Sequence, residues 1–365
     1  MTRRPQSIDP DLLGQRSPLG PPPVSEPTDE PSGDPSLWRR VFNLRTLVSF
    51  LIAGALLWFV FTRLNLNLGE IWAQIRQANP AYFVLALAVY YLGFPLRAVR
   101  WRILLENVEA SDAKATVAVV HPGVPRLSEI LLLGWFANCL VPAKIGDFYR
   151  AYLLKDACGV SFARTTGTLV AERAIDLIVL FTLLLLSAVG VIRGMSAERA
   201  LVTEHILLVG FLFVVLLLIG LVALRLVGPR AERLLPKRLA GLWYRFQHGI
   251  LGSFRARQFP VIAALTVTIW LTEAGRLLFV TQALGVQLGV AVIVFVALAN
   301  SLLTAVPATP GGLGVVEAGV ITLFALIGVG DDTGAAITLL DRTISYWSLI
   351  AVGFAVYLLA FRHRR

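Results

Sequence analysis

The chain reads PAKIGD from Pro142 to Asp147 and PATPGGLGVVE from Pro307 to Glu317, and both stretches interrupt long runs of leucine, valine and alanine. Pro142-Ala-Lys-Ile-Gly146 and Pro310-Gly-Gly-Leu-Gly314 fit one pattern, P-x-x-[IL]-G, 168 residues apart. Asn138 and Asn300 precede the breaks, and Asp147 and Glu317 follow their last glycines. Glu172-Arg173 and Asp341-Arg342 then stand 26 and 27 residues after Gly146 and Gly314. An ordered set that occurs twice at near-equal spacing reads as an internal repeat of the kind that builds membrane transporters.

Hydrophobic residues make up 56% of the 365 and charged residues only 15%, with a mean hydropathy of +0.72. That is too apolar for a soluble domain, and the expected class is an all-α polytopic membrane protein. The formal net charge of +10 sits mainly in short connections between apolar runs, where it orients helices in a bilayer and is not a nucleic-acid footprint. Nine of the 19 prolines fall in the first 35 residues, so residues 1–45 read as a disordered cytoplasmic tail.

A helix needs about 20 apolar residues to cross the hydrocarbon. Six full spans are expected, at about 46–62, 81–99, 166–190, 204–225, 259–280 and 334–361. Basic residues at Arg39, Arg40 and Arg45, in the stretch 225–257, and in the basic end 362–365 put both termini and that connection in the cytoplasm. Basic flanks on both sides of the first break make it a hairpin that enters from inside. The uncharged TQALGVQ and the pair Asp331-Asp332 make the second one enter from outside. Two re-entrant, broken-helix hairpins related by an inverted repeat follow, with repeat A at about 81–190 and repeat B at about 259–361.

Non-helical backbone persists at membrane depth only where protein or water covers it. A Gly-rich break exposes N–H groups, and a helix that begins after it points partial positive charge at a ligand. Charges inside spans cost about 2.5–3.5 kcal/mol on insertion scales, so Glu172, Arg173, Asp176, Glu273, Arg276, Asp341 and Arg342 each need a reason. Structural ion pairing is one. Anion binding is the other: Arg173 and Arg342, with Lys144 and Arg150, would grip a phosphate, because guanidinium bonds oxyanions in two-pronged fashion. Arg97, Arg100 and Arg102 with Trp101 read as an interfacial anchor, and Phe148, Tyr149 and Tyr152 as an interfacial face. Asn138 and Asn300 read equally as helix-contact residues or substrate ligands. The two cysteines and four histidines lack metal-ligand spacing, and no nucleophile with a base, Walker loop or dinucleotide fingerprint appears. No enzyme activity, metal or cofactor is expected.

RAVRW, VPAKIGDFYRAYLL, ERAID, PATPGGLGVVEAG and DRTISYW, in that order, resemble the lysylphosphatidylglycerol synthase transmembrane, or flippase-like, family over about residues 45–361. The resemblance implies movement of a lipid or lipid-linked molecule between leaflets of the cytoplasmic membrane, and it admits a homodimer. Its motifs place Pro142, Gly146, Asp147, Arg150, Glu172, Arg173, Asp176, Pro307, Pro310, Gly311, Gly312, Gly314 and Glu317 at functional positions. Family members often carry Glu where this chain has Asp147, one methylene shorter. With the chain ending at Arg365, the synthase activity of the fused relatives is expected to be absent.

The expected function is flipping of an anionic or aminoacylated phospholipid or a polyprenyl-phosphate-linked sugar, with anionic lipid headgroups as partners. Two alternatives stand beside it. One is a transporter of a small soluble anion. The other is a scaffold that recruits a lipid- or glycan-modifying enzyme through the basic stretch 225–257 and the tail.

Overall fold

A computed structural model describes residues 44–64, 66–111, 121–142, 144–192, 197–305 and 309–362. The expected tail lies outside them up to residue 43, as do Ala143, Pro307 and residues 363–365. Among the described residues all regular structure is helical. The all-α polytopic class is therefore the observed one.

The chain opens with α1 (Leu44–Arg63) and the short α2 (Leu68–Arg76). Asn67 caps α2, its side-chain oxygen accepting from the N–H groups of Gly69 and Glu70 at 3.0 and 3.3 Å. Next come α3 (Pro80–Ser111), α4 (Val124–Leu140), α5 (Ile145–Cys158) and α6 (Phe162–Ile192). Then α7 (Ala197–Leu234), α8 (Lys237–Ser253), α9 (Phe259–Ala283) and α10 (Val290–Ala305) precede the second break. Beyond it lie a 3₁₀ turn at Pro310–Gly312, α11 (Val315–Leu326), α12 (Asp331–Arg342), a π-helical turn at Thr343–Ser348 and α13 (Leu349–Arg362).

Five helical stretches are long and apolar enough to cross a membrane: Pro80–Ser111, Phe162–Val191, Gly210–Leu234, Phe259–Ala283 and Asp331–Ala360. The sixth expected span, 46–62, is α1, whose apolar stretch Leu47–Phe59 is shorter. One expectation needs correction. The stretch 225–257 is not a loop but the end of α7 followed by α8, and α8 packs closely on α6, with Gly249 against Gly167. The expected final span is present as Asp331–Ala360, and it contains the π-helical turn, a form that concentrates at functional sites.

Both breaks are present as helix, irregular turn, helix. α4 stops because Val141 precedes Pro142 and is held extended at φ −126°, ψ 133°. α5 starts at Ile145, and at Gly146 it crosses α4 so closely that any Cβ would overlap the Gly134 carbonyl and the Asn138 side chain. α10 and α11 are the matching limbs of the second break. The pairings recur in both halves: α3 with α4 as α9 with α10, α5 with α6 as α11 with α12, and α6 with α10 as α13 with α4. α3 and α9 pack against each other at the centre. One apolar core runs through these helices from Ala86 to Leu349.

The flank charges predict opposite sidedness for the breaks. With Cys139 and Cys158 replaced by alanine, Ala157→Cys should react with an impermeant maleimide only after permeabilisation of cells, and Gln287→Cys in intact cells. Labelling of both from one side would remove the inverted arrangement.

Candidate functional site

The acid that follows each break meets the arginine of the next acid–arginine pair. Arg173 donates to Asp147 Oδ1 at 3.1 Å, and Arg342 Nε donates to Glu317 Oε1 at 2.7 Å. Thus each acid–arginine pair sends its arginine to the acid behind the corresponding break. The acids of those pairs face arginines of the preceding spans: Glu172 lies 3.2 Å from Arg100, and Asp341 lies 2.7 Å from Arg276.

These contacts merge into one network. Arg100 also donates to both Asp176 oxygens, at 2.5 and 3.1 Å, and to Thr266 at 3.0 Å. The second oxygen of Glu172 takes Arg150. Glu273 on α9 joins Arg276 at 3.1 Å and Arg97 on α3 at 2.6 Å, which links the two halves. Aromatic rings cover several guanidinium faces: Trp101 over Arg150 and Trp135 over Arg97, each at 4.8 Å, and Tyr346 over Arg342 at 4.8 Å. Buried ions are costly unless paired and hydrogen-bonded. Here every arginine of the network has a carboxylate.

A cavity of about 160 Å³ opens at the centre of this network. Arg97, Lys144, Arg173, Arg276 and Arg342 supply its basic lining, and Glu172, Asp176 and Glu273 its acidic lining. Asn138, Cys139, Gly311 and Gly312 bring both breaks to its wall, and Asn300 and Thr309 add polar atoms. The π-helical turn presents Ser345 and Tyr346, and the Tyr346 hydroxyl donates to the Cys139 carbonyl at 3.1 Å. That bond ties the end of the second half to the first break.

Of the expected site residues, Asn138, Lys144, Glu172, Arg173, Asp176, Asn300, Gly311, Gly312 and Arg342 line the cavity. Gly146, Asp147, Arg150, Pro310, Gly314, Glu317 and Asp341 stand behind that lining. Arg150, expected to grip the anion, is 1% exposed and engaged by Glu172 and Trp101. The N–H groups expected to be bare are also engaged: Gly146 donates to Asn138 at 2.8 Å, and Gly314 to Glu317 at 2.6 Å. At these two positions attraction for an anion comes from side chains.

The interfacial anchor is a further correction. Arg100 and Trp101 are 1% and 0% exposed, and Arg97 lines the cavity. α3 runs on for 32 residues, so these side chains lie inside the bundle, where Glu172, Asp176 and Glu273 compensate the charges. Only Arg102 remains outside, paired with Glu106. Tyr149 is likewise buried, while Phe148 is exposed.

Lys144 is unlike the other cavity cations. It has left-handed backbone, φ 52° and ψ 37°, the only non-glycine residue with positive φ among those described. Such a residue costs about 1–3 kcal/mol and persists where surroundings impose it, often at ligand clamps.

The sequence profile of the lysylphosphatidylglycerol synthase TM region matches residues 46–353. The chain belongs to that family. A UPF0104 membrane protein of Methanocaldococcus jannaschii is 33% identical over 228 residues, 62% of this chain and 95% of the relative. A UPF0104 membrane protein of Methanothermobacter thermautotrophicus is 26% identical over 308 residues, 79% of this chain and 88% of the relative. A Haloferax volcanii protein named glycosyltransferase AglD is 23% identical over 350 residues, 85% of this chain but 53% of that protein. In this member of the lysylphosphatidylglycerol synthase TM family, the motif residues at both breaks meet around one charged cavity.

Removing one member of the network should cost far more than a surface charge. Glu172→Ala leaves Arg100 and Arg150 without their shared carboxylate, and the expected loss is about 3–5 kcal/mol. Thermal unfolding of the purified protein, followed by size-exclusion recovery, checks it against Glu106→Ala, which should be near neutral.

Proposed function

We propose that this chain is a multi-pass protein of the cytoplasmic membrane that moves an anionic, lipid-linked molecule between leaflets. The headgroup enters the central cavity while the acyl or prenyl tail stays in lipid. The observation that carries this reading is a charged cavity, walled by both broken hairpins, inside a bundle of apolar helices. Its size supports a headgroup as the enclosed part. About 160 Å³ is smaller than the roughly 300–1,000 Å³ of pockets that enclose drug-sized ligands, so a whole lipid does not fit.

The recurring helix pairings and the two equivalent Arg–acid contacts support an inverted repeat. In transporters of that architecture, discontinuous helices meet at a midplane site and one half rocks against the other. In this reading no covalent bond is made or broken. The name of the Haloferax relative favours a sugar-bearing lipid among the candidates.

A small soluble anion would fit the same volume, so dependence on the tail separates the two readings. A recruiting scaffold is less well supported, because α8, the middle of the stretch assigned to docking, is packed on α6 and α3.

Purified protein in vesicles should accelerate leaflet exchange of fluorescent anionic lipids and leave a tail-free glycerophosphate trapped. Arg173→Ala should slow exchange by about tenfold or more, the worth of one charge-assisted contact, when compared at equal amounts of protein recovered folded by size exclusion, since losing the partner of Asp147 also lowers the melting temperature. Uptake of the tail-free anion would replace the lipid reading with the soluble one.

A further inference from the structure

The charges of the network can be summed, and the sum is zero. Six arginines and six carboxylates are joined by direct contacts. Lys144 lies outside that balance. Among the described residues it is the only basic group lining the cavity that makes no ion pair or hydrogen bond; Asp147, three residues on, is already bonded to Arg173. The cavity and its surrounding network therefore hold one uncompensated positive charge.

The backbone gives an independent reason to single out this residue. In the aligned pattern P-x-x-[IL]-G, Lys144 stands where the second break has Gly312, and Gly312 has φ 74° against 52° for Lys144. The turn needs left-handed backbone at this position in both breaks. Glycine meets that need without strain, and the second break uses it. The first break has lysine instead, against local preference, and so places an ammonium in the cavity.

Two further groups point at a ligand. Asn300 and Thr309 are 7% and 3% exposed, line the cavity, and leave Asn300 Oδ1 and Thr309 Oγ1 without a hydrogen-bond partner. The Asn300 amide nitrogen faces the Asp341 carboxylate at 3.4 Å, which fixes its oxygen as a free acceptor. A buried acceptor without a partner calls for a donor such as a hydroxyl.

We infer that the substrate is a monoanionic phosphodiester with a hydroxyl-bearing headgroup, and that Lys144 is the residue that meets its charge. This rests on the translocation reading and narrows it. A single negative charge makes the loaded cavity neutral, the state least penalised in an apolar surround. A phosphomonoester or pyrophosphate leaves net negative charge inside the bundle, and a lysylated headgroup adds positive charge to a site that already has it. The shared chemistry has two sources: a phospholipid with a polyol headgroup, or a polyprenyl-phosphate sugar with one phosphate.

The test combines binding with leaflet exchange, using short-chain phosphatidylglycerol, a short polyprenyl phosphoryl hexose, phosphatidic acid at pH 8.5, a polyprenyl pyrophosphoryl sugar, lysyl-phosphatidylglycerol and phosphatidylcholine. At least one of the two monoanionic diesters should bind about tenfold or more tightly than the other classes, and the better of the two names the source. Lys144→Gly should melt no lower than the parent protein, because glycine relieves the left-handed turn, yet lose that preference. Lys144→Arg should retain it. A Lys144→Gly variant that binds the diesters like the parent, or a parent that prefers dianionic or lysylated lipids, overturns the inference. Monoanion preference without exchange would support the Lys144 site and sink translocation. Exchange without preference would do the reverse.

Discussion

Everything in this molecule is arranged around the cost of charge in an apolar bundle. Five arginines buried among leucine, valine and alanine, with a half-buried sixth, Arg173, would be prohibitive without partners. They are tolerable because carboxylates from other helices meet them, as Glu273 on α9 meets Arg97 on α3 and Asp147 on α5 is met by Arg173 on α6. The helices thus have little freedom to slide, since a turn's displacement would separate buried ions from their partners. Van der Waals packing between helices has little hydrophobic driving force in lipid, so the ion network supplies much of the register that a soluble core would supply by burial.

The two breaks follow from the same constraint. Their irregular backbone lies against protein and cavity, and its donors are satisfied locally by Asn138 and Glu317. Both breaks solve the problem of a buried helix start by different chemistry, an amide reaching across a hairpin in one and a carboxylate reaching back one turn in the other. The halves share helix order and pairing but differ in the side chains that line the cavity. Lys144 against Gly312 is the plainest difference.

Much of this was legible in the sequence because the motif residues are rare in apolar runs. Asp147, Glu172, Arg173, Glu317, Asp341 and Arg342 stand out for that reason, and their near-equal spacing from the two breaks matches them in order. Arg97, Arg100 and Trp101 were misread because a basic, aromatic cluster after the 16 largely apolar residues 81–96 looks the same whether the helix ends there or runs on. The i, i+3 spacing of Arg97 and Arg100, facing Glu273 and Asp176 on other helices, was the available clue. Tyr90, Trp135, Trp270 and Thr309 gave no signal, since aromatic and hydroxyl residues are ordinary in membrane helices and only tertiary packing brings these four to one wall. The helical character of 225–257 was hidden by its charge, and the shortness of the true connections emerges only from the packing of α8 on α6.

The π-helical turn at Thr343–Ser348 resolves a conflict of periodicity in the last span. An extra residue in a turn advances the helix phase by about 100°. Before it, Asp341 and Arg342 face inward to partners on α9 and α11; after it, Leu349 is buried while Phe354, Leu358 and Leu359 are exposed. An unbroken α-helix would propagate one stripe along its length, fixed by the charged end. The phase step lets the two segments obey separate patterns, so a substitution that shifts the outer stripe need not rotate the ionic one.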